Sequence, residues 1–213
     1  MDHTALQQLS SWFPQYHWMS SNLEQCMNDS HASAAHGMYY SISDDRFLDR
    51  FPIRAHVMMQ LRFDGSVGFP GGLIDTTDEN VVAGLNREVA EEMGYNLPEL
   101  AFTNDDFVVA HYCPRSHRVL YFFAKPVSVE QFQHLERCTL AAQEYGYETQ
   151  GVIRVPCYTM DDGQKGLPVY LTNSFAGNAK CQLLAGLYKG NICSLEELRT
   201  VLHVSQRVAP LSE

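Results

Sequence analysis

The sequence predicts an α/β domain in which helices flank a mixed β-sheet. A length of 213 residues with 45% hydrophobic side chains provides for one sizeable core. Short runs rich in apolar, β-branched and aromatic residues are typical of buried strands, and longer segments with apolar residues every three or four positions are typical of helices. The two kinds of segment interleave irregularly along the chain, which favours a mixed sheet over a purely parallel one.

Five segments are predicted as strands from their apolar and aromatic density. They are 36–42 (HGMYYSI), 53–63 (IRAHVMMQLRF), 107–113 (FVVAHYC), 118–125 (RVLYFFAK) and 150–160 (QGVIRVPCYTM). Four segments are predicted as helices from their periodicity. They are 78–93, 129–142, 174–190 and 194–206.

The helix over 78–93 has the clearest boundaries. Its apolar face is Val82, Leu85, Val89 and Met93, at spacings of three and four. Thr77 or Asp78 is the expected N-cap, and Gly94 is the expected C-terminal stop. The last helix is predicted to open with a capping box formed by Ser194 and Glu197.

The segments divide the chain into a domain and two flanks. Residues 34–190 are predicted to form the domain. Residues 1–33 are polar and mixed, and Pro14 interrupts a weak helical pattern there. We expect an N-terminal arm or short helix without an assigned function. Residues 191–213 are expected to be a C-terminal helix and tail.

Composition excludes several classes of function. The formal net charge of −10 argues against non-specific nucleic-acid binding through overall charge. The six cysteines include no C-x-x-C pair, which argues against a zinc ribbon or a thioredoxin motif. The chain has no secretory signal pattern and no long apolar stretch, so we expect free thiols, no membrane partner and a cytosolic or nuclear protein that is not secreted.

Three glutamates share one side of the predicted helix over 78–93. At about 100° per residue, Glu91 and Glu92 lie about 60° and 40° to either side of Glu88. Like charges this close repel one another, and such a run by itself usually faces water. With divalent cations the convergence becomes favourable, because hard ions such as Mg²⁺ and Mn²⁺ take oxygen ligands.

A glycine-rich loop precedes this helix. Gly68, Gly71 and Gly72 permit close backbone packing and leave carbonyl groups accessible. A loop of this kind beside metal-binding carboxylates suits a diphosphate, whose charge the metals neutralise while they activate a water molecule. The loop and the spacing R-E-x-x-E-E-x-G together favour a metal site over a solvated acidic face.

Residues 71–95 (GGLIDTTDENVVAGLNREVAEEMGY) resemble a Nudix box, whose usual form is G-x5-E-x7-R-E-U-x-E-E-x-G-U with U a bulky aliphatic residue. The positions that match in spacing are Glu79, Arg87, Glu88, Val89, Glu91, Glu92 and Gly94. Two positions depart from the form: six residues separate Gly72 from Glu79, and Tyr95 occupies the last aliphatic place.

The resemblance extends over about residues 34–190, most of the chain, through stretches such as VIRVPCYT, GLPVYLTNSF and AKCQLL. These are similar to the eukaryotic Nudix subfamily of snoRNA-decapping enzymes that are also (deoxy)inosine diphosphatases. The subfamily includes a paralogue, syndesmos, in which the box is degraded and catalysis is lost. The intact glutamates here favour an enzyme.

The resemblance implies a Nudix α/β/α sandwich and hydrolysis that depends on two or more divalent cations, Mg²⁺ or Mn²⁺. It implies that Glu88, Glu91 and Glu92 ligate these metals. The Gly71 carbonyl and His111 are implied as further metal ligands or neighbours, and Glu148 as a further carboxylate that holds a metal or acts as base. Glu79 is implied to pair with Arg87 in a structural role.

The resemblance also assigns the substrate side of the site. His36, Arg62 and Phe69 are implied to contact or line the nucleotide pocket, Arg62 as a fork of donors and Phe69 as a stacking face. Asn178 and Gln182 are implied to reach the purine edge. Without the family context, His36 and His111 read as structural histidines, Phe69 as core, and Gln182 and Glu148 as surface residues.

The expected partners are purine nucleoside diphosphates and capped RNA. The family alone implies that the protein is a homodimer and that it is located in the nucleus or nucleolus and in the cytoplasm. RNA would need a local basic strip, for which Arg115, His117 and Arg118 are candidates. Two alternatives stay open: a catalytically silent module that binds a nucleotide or a partner, and a pyrophosphatase for ADP-ribose or other nucleotide sugars.

Overall fold

The computed structural model describes residues 3–26, 31–94 and 97–208. The strands are β1 (His17–Ser20), β2 (Ala32–Phe47), β3 (Phe51–Arg62), β4 (Val67–Gly68), β5 (Gly71–Leu73), β6 (Phe107–Cys113), β7 (Arg118–Pro126) and β8 (Thr149–Arg154). The helices are α1 (His3–Ser10), α2 (Leu23–Cys26), α3 (Val81–Met93), α4 (Val129–Thr139), α5 (Leu167–Tyr170), α6 (Ala179–Lys189) and α7 (Leu195–Ser205). Tyr95, the departing last position of the box, lies outside the described residues.

The strands form one mixed sheet in the order β1–β6–β7–β2–β3–β4, with β5 paired to β2 and β8 paired to β3. Strands β2 and β7 run parallel, and the other pairs are antiparallel. At one end of the sheet, β5 lies against one side of β2 while β7 lies against its other side. The predicted mixed sheet is therefore confirmed.

Helices cover both faces of the sheet. On one face, Leu85 and Val89 of α3 and Phe132 of α4 belong to a buried apolar cluster with strand residues. On the other, α1 and α6 contribute to a second cluster that includes Leu9 and Leu184. These layers make up the α/β/α arrangement expected from the sequence. Within the described ranges, no helix is both long and apolar enough to cross a lipid bilayer.

The described part of the N-terminal segment packs on the domain. Helix α1 contacts α6, and β1 extends the sheet by pairing with β6, with His17 opposite Tyr112. At the other end, the capping box of α7 forms as expected, because Ser194 Oγ accepts from Glu197 N–H at 3.2 Å and Glu197 accepts from Ser194 N–H at 2.8 Å.

Helix α3 begins later than the sequence predicts. Asn80 is its N-cap and accepts from Ala83 N–H at 2.9 Å, so the cap is neither Thr77 nor Asp78. Asp78 is engaged elsewhere, because its carboxylate accepts from Asp75 N–H at 2.7 Å and also binds an arginine described below. Gly94 stops the helix with a φ of 66°, as expected for the left-handed conformation.

Two other predicted elements are shorter than expected. Strand β8 ends at Arg154, shortly before Pro156, which has no N–H group to donate to a neighbouring strand. Helix α6 begins at Ala179 rather than at 174, because Gly177 has a φ of 47° and Asn178 is the residue that precedes the first helical turn. Asn178 is thereby placed at the start of α6, where it is buried.

Candidate active site

Gly71 brings the glycine loop into contact with α3. Its φ is 124°, and a Cβ atom there would lie 2.2 Å from the Ala35 carbonyl oxygen, so no other residue fits without displacing β2. The Gly71 N–H donates to Glu92 Oε2 at 2.7 Å. A Cβ atom at Gly72 would lie 2.4 Å from Glu88 Oε2, so this glycine leaves room for the Glu88 carboxylate in its present position. The glycines therefore let two carboxylates approach the loop backbone.

Glu92 is a buried carboxyl group, with only 2% of its surface exposed. Burial raises its pKa to about 8, although the Gly71 N–H and the Arg62 charge act in the opposite direction. Burial also raises the pKa of Glu88, against the stabilising Arg87 contact. The charge of Glu148, an exposed residue, raises the pKa of both groups further. The carboxylates of Glu88, Glu92 and Glu148 are therefore close enough for their charges to act on one another.

Arg87 organises the remaining carboxylates of α3. Its guanidinium donates to Glu88 Oε1 at 2.8 Å and lies 3.5 Å from Glu91 Oε2. It also donates to Asp78 Oδ1 at 3.1 Å and Oδ2 at 3.0 Å, and to the Leu73 carbonyl at 3.2 Å. Asp78 hydrogen bonding accordingly raises the pKa of Arg87.

The acidic partner of Arg87 is therefore Asp78 and not Glu79, and the predicted Glu79–Arg87 pair is wrong. Glu79 is exposed, whereas the Asp78 side chain is only 9% exposed. Gly84 makes room for this contact, because a Cβ atom there would lie 2.6 Å from Asp78 Oδ2. With Asp78 in this role, five residues separate it from Gly72, and the extra residue lies between Asp78 and Arg87.

A cavity of 840 Å³ opens beside the carboxylates, within the size range of small-molecule sites. Glu88, Glu148, Gly71 and Gly72 line it at the carboxylate end. The other lining residues that the argument uses are His36, Arg62, Phe63, Phe69, Asn178 and Gln182, together with Tyr16, Cys113, Arg115 and Arg118.

Three side chains that line this cavity each have a buried polar atom without a hydrogen-bond partner among the described residues: His36 Nδ1, Asn178 Nδ2 and Gln182 Nε2. Asn178 is 3% exposed and Gln182 is 1% exposed. Burial, with the nearby Arg62 charge, lowers the pKa of His36 to about 4, so its ring is neutral at pH 7. Unpaired buried amide groups cost stability, and donors left unpaired in a cavity are available to a bound molecule.

Residues 33–193 match the protein family described as "Nudt16-like: U8 snoRNA-decapping enzyme-like". The chain belongs to this family.

Curated relatives agree with the family. The chain is 35% identical to the U8 snoRNA-decapping enzyme of Xenopus laevis, over 88% of this chain and 89% of that one. It is 40% identical to the U8 snoRNA-decapping enzyme of Mus musculus, over 72% and 79%. It is 36% identical to the human Tudor-interacting repair regulator protein, over 78% and 77%. The predicted Nudix resemblance, the α/β Nudix fold and the assignment as a Nudix hydrolase are confirmed.

His111 does not lie where its predicted metal role requires. Its Nε2 is 2.8 Å from Ser10 Oγ of α1 and 3.8 Å from Cys181 Sγ of α6, and it is completely buried. These helices cover the face of the sheet opposite α3, which carries the box glutamates. The prediction that His111 neighbours the metals is corrected: in this Nudt16-like chain it bridges α1 and α6.

Phe69 lines the cavity, but its ring is not free to stack on a base. It is 1% exposed and packs against Phe122, with ring centroids 5.1 Å apart. Phe63, which also lines the cavity, is 60% exposed, and the centre of its ring lies 5.6 Å from the Arg62 guanidinium. Phe63 is therefore the accessible aromatic face, and Phe69 belongs to the core that supports the cavity floor.

Sequence reasoning missed Phe63, Tyr16, Cys113 and Asp78. Phe63 follows Arg62 at the end of β3, and strand alternation alone does not show that the chain turns there with its ring against the cavity. Tyr16 comes from the N-terminal segment, whose packing no periodicity signals. The available signal for Asp78 was a carboxylate separated from Gly72 by five residues, as in the usual box.

The donor set fits a hard divalent cation. Glu88, Glu91, Glu92 and Glu148 offer carboxylate oxygens. Burial raises the pKa of both Glu88 and Glu92 although Arg87 contacts the first and the Arg62 charge acts on the second, so a cation beside them would stabilise their charged forms. In the described part of the chain, no three His, Cys, Asp or Glu side chains already stand in a metal-holding arrangement. Glu88 and Glu91 instead contact Arg87. The Gly71 carbonyl as a ligand stays a prediction.

Proposed function

We propose that the chain is a divalent-cation-dependent pyrophosphohydrolase that acts on (deoxy)inosine diphosphate-type nucleotides and on capped RNA. The observation that carries the proposal is the cavity itself, which joins carboxylates at one end to unpaired buried amide donors at the other. One end suits a metal-bound diphosphate and the other suits a base. Nuclear localisation and homodimerisation belong to the proposal through the family resemblance alone.

The unpaired donors favour a keto purine. Asn178 Nδ2 and Gln182 Nε2 both require acceptors. Guanine presents two acceptors, O6 and N7, on one edge, whereas adenine presents one acceptor and one donor there. Hypoxanthine shares the 6-keto group of guanine. An amide pair at this edge therefore discriminates inosine and guanosine nucleotides from adenosine nucleotides.

At the other end, Glu88, Glu91, Glu92 and Glu148 would hold Mg²⁺ or Mn²⁺, with the Gly71 carbonyl as a further oxygen. When bound, the cations would neutralise the diphosphate and lower the pKa of a water molecule. Arg87 contacts both Glu88 and Glu91 and would restrain their positions. Arg62 adds a positive charge between the two ends, because its charge acts on both His36 and Glu92.

A binding module without turnover is the second candidate, because the similarity to the Tudor-interacting repair regulator protein equals that to the Xenopus decapping enzyme within one percentage point. The retained glutamates favour hydrolysis. Release of the nucleoside monophosphate from IDP, GDP, ADP and ADP-ribose, and of the cap nucleotide from capped RNA, should be measured with Mg²⁺, with Mn²⁺ and with EDTA. We expect IDP and GDP turnover above ADP and none in EDTA. Tight IDP binding without turnover would establish the binding module, and ADP-ribose as the best substrate would establish the nucleotide-sugar alternative.

Gln182→Met should separate stability from recognition. Removing an unpaired buried amide is expected to leave the free energy of unfolding unchanged or to raise it by about 1–2 kcal/mol. The loss of a donor to the base should raise KM for IDP roughly tenfold to a hundredfold, through about 1.4–3 kcal/mol. Urea titration and steady-state kinetics measure the two effects.

The matched control is Gln60→Met, at a fully buried glutamine that does not line the cavity. It should leave KM for IDP unchanged. Equal effects of the two substitutions on KM would show that Gln182 does not contact the base.

A further inference from the structure

Three arginines lie around one cavity. The chain has 15 Lys and Arg against 25 Asp and Glu, and six of these cations form ion pairs with described carboxylates. Arg62, Arg115 and Arg118 line the cavity, yet none of them forms an ion pair with a described carboxylate. Their gathering on one cavity, more than the lack of ion pairs, sets these arginines apart. A cavity lined by several cations attracts anions, and cations spread along it suit an anionic ligand longer than one diphosphate.

The sheet register places two of these cations on a path leading away from the carboxylates. Gly72 of β5 pairs with Ala35 of β2, and Arg118 of β7 pairs with Ala32 of the same strand. Cys113 of β6 pairs with Arg118, and Arg115 lies in the turn between them. Neighbouring strands are about 4.8 Å apart, so Arg118 is roughly 10 Å or more across the sheet edge from Gly72, with Arg115 farther on.

Tyr16 stands at the far end of this path. It lines the main cavity and also a smaller cavity of 220 Å³, and the two cavities share Tyr16, Gly177 and Asn178. The unpaired Asn178 Nδ2 therefore lies at the junction of the two spaces. Tyr16 precedes β1, in a segment outside the family match of residues 33–193.

The smaller cavity also contains an unpaired cation. Lys180 lines it, has no ion pair with a described carboxylate, and places its Nζ 5.1 Å from the centre of the Phe175 ring. Burial lowers the pKa of Lys180. A partly desolvated ammonium group beside an aromatic ring is stabilised when an anionic group enters the cavity.

We propose that Arg118, Arg115, Tyr16 and Lys180 form a track for single-stranded RNA, which binds the nucleotides that follow the diphosphate in a capped substrate. The proposal rests on the proposed function and names its substrate class. The arginines and the lysine contact successive phosphates, and the half-buried Tyr16 ring stacks on a base. A nucleotide sugar is too short to require cations at both the turn and the smaller cavity, whereas an RNA chain reaches both.

The track explains how a chain of net charge −10 attracts a polyanion. Overall charge repels RNA, so binding must come from a local strip with no neutralising carboxylates. The N-terminal segment gains a role in the same way, because it supplies Tyr16 to a cavity whose other lining residues all lie within the matched region 33–193.

The test is the binding of an unstructured 12-nucleotide RNA with a 3′ fluorescent label, followed by fluorescence anisotropy in EDTA at several salt concentrations. The charge variant is Arg115→Gln with Arg118→Gln. We expect Kd to increase about tenfold. The slope of log Kd plotted against log salt concentration should decrease in magnitude by roughly 1.4, which is ~0.7 for each charge removed. Tyr16→Leu should raise Kd by about tenfold without changing the slope, because stacking releases no counterions.

Arg137→Gln is the matched control, since Arg137 is an exposed arginine on α4 outside both cavities and without a described ion pair. It should change neither Kd nor slope. Lys180→Gln provides an independent variant if the double substitution does not fold, with an expected slope change of about 0.7. Wild-type Kd and slope in the track variants, or an equal response in the control, would overturn the track.

Parallel IDP hydrolysis distinguishes this proposal from the proposed function. If IDP and capped RNA are not hydrolysed while the variants still weaken RNA binding as described, the enzyme is refuted and the track stands. If hydrolysis occurs and the variants raise KM for IDP as much as Kd for RNA, these residues serve the first nucleotide and the track is refuted.

Discussion

Glu92→Gln is expected to lower kcat/KM for IDP by about a thousandfold, or about 4 kcal/mol in the activation free energy. Glu92 is the most buried of the box glutamates and accepts from the Gly71 N–H, so it contacts both the loop and the proposed metals. A glutamine keeps the shape and the hydrogen bond but loses the charge that holds a cation. The loss should therefore appear as weaker metal binding and lower turnover together.

The same substitution should stabilise the metal-free protein above pH 5. The pKa of Glu92 is raised from 4.5 to about 8 in the folded state, so its contribution to stability is complete below pH 4.5 and is lost as pH rises through 8. Each unit of difference corresponds to about 1.4 kcal/mol. We expect the variant to exceed the wild type by roughly 2–4 kcal/mol in unfolding free energy at pH 8, and by little at pH 5.

Thermal unfolding in EDTA at pH 5 and pH 8, then with added Mg²⁺ or Mn²⁺, measures these effects. The wild type should gain Tm on metal addition at pH 8, and the variant should gain little. Glu99→Gln, at an exposed glutamate in the 3₁₀ turn Pro98–Leu100, controls for loss of one negative charge. Unchanged activity and an unchanged metal response in Glu92→Gln would remove this residue from the metal site.

Much of this site could be predicted from spacing within single elements. The positions of Glu88, Glu91 and Glu92 follow from helical periodicity, and Gly94 follows from the αL conformation that only glycine adopts easily. The sheet and its two helical layers follow from apolar runs. Periodicity describes which residues share a face, and it is reliable where one element supplies the whole feature.

Features that depend on packing between distant elements could not be predicted in this way. A histidine on β6 projects to one of two faces, and only the position of α1 shows that His111 meets Ser10. Tyr16 reaches the cavity because β1 pairs with β6, an event that no local pattern in residues 1–33 indicates. The unpaired atoms of Asn178 and Gln182 likewise become evident only when α6 is packed on the sheet.

Spacing alone also could not decide which of the adjacent carboxylates, Asp78 or Glu79, pairs with Arg87. Substitution of these two residues gives the second large expected effect. Asp78→Ala should destabilise the protein by roughly 2–3 kcal/mol and reduce activity by about thirtyfold or more, whereas Glu79→Ala should change the unfolding free energy by no more than about 0.5 kcal/mol. Arg87 hydrogen bonding holds the pKa of Asp78 below its usual range, which shows that the folded state favours the charged carboxylate.

The physical reason is that Asp78 accepts from two nitrogens of Arg87 and from the Asp75 N–H, so its removal releases both the loop and the arginine. A released Arg87 no longer restrains Glu88 and Glu91, and the proposed metal site loses its order. Urea unfolding and IDP kinetics on the two alanine variants decide the matter, with Asp78→Asn as an intermediate case. A larger loss in Glu79→Ala than in Asp78→Ala would restore the pairing expected from the usual box spacing and refute the one observed here.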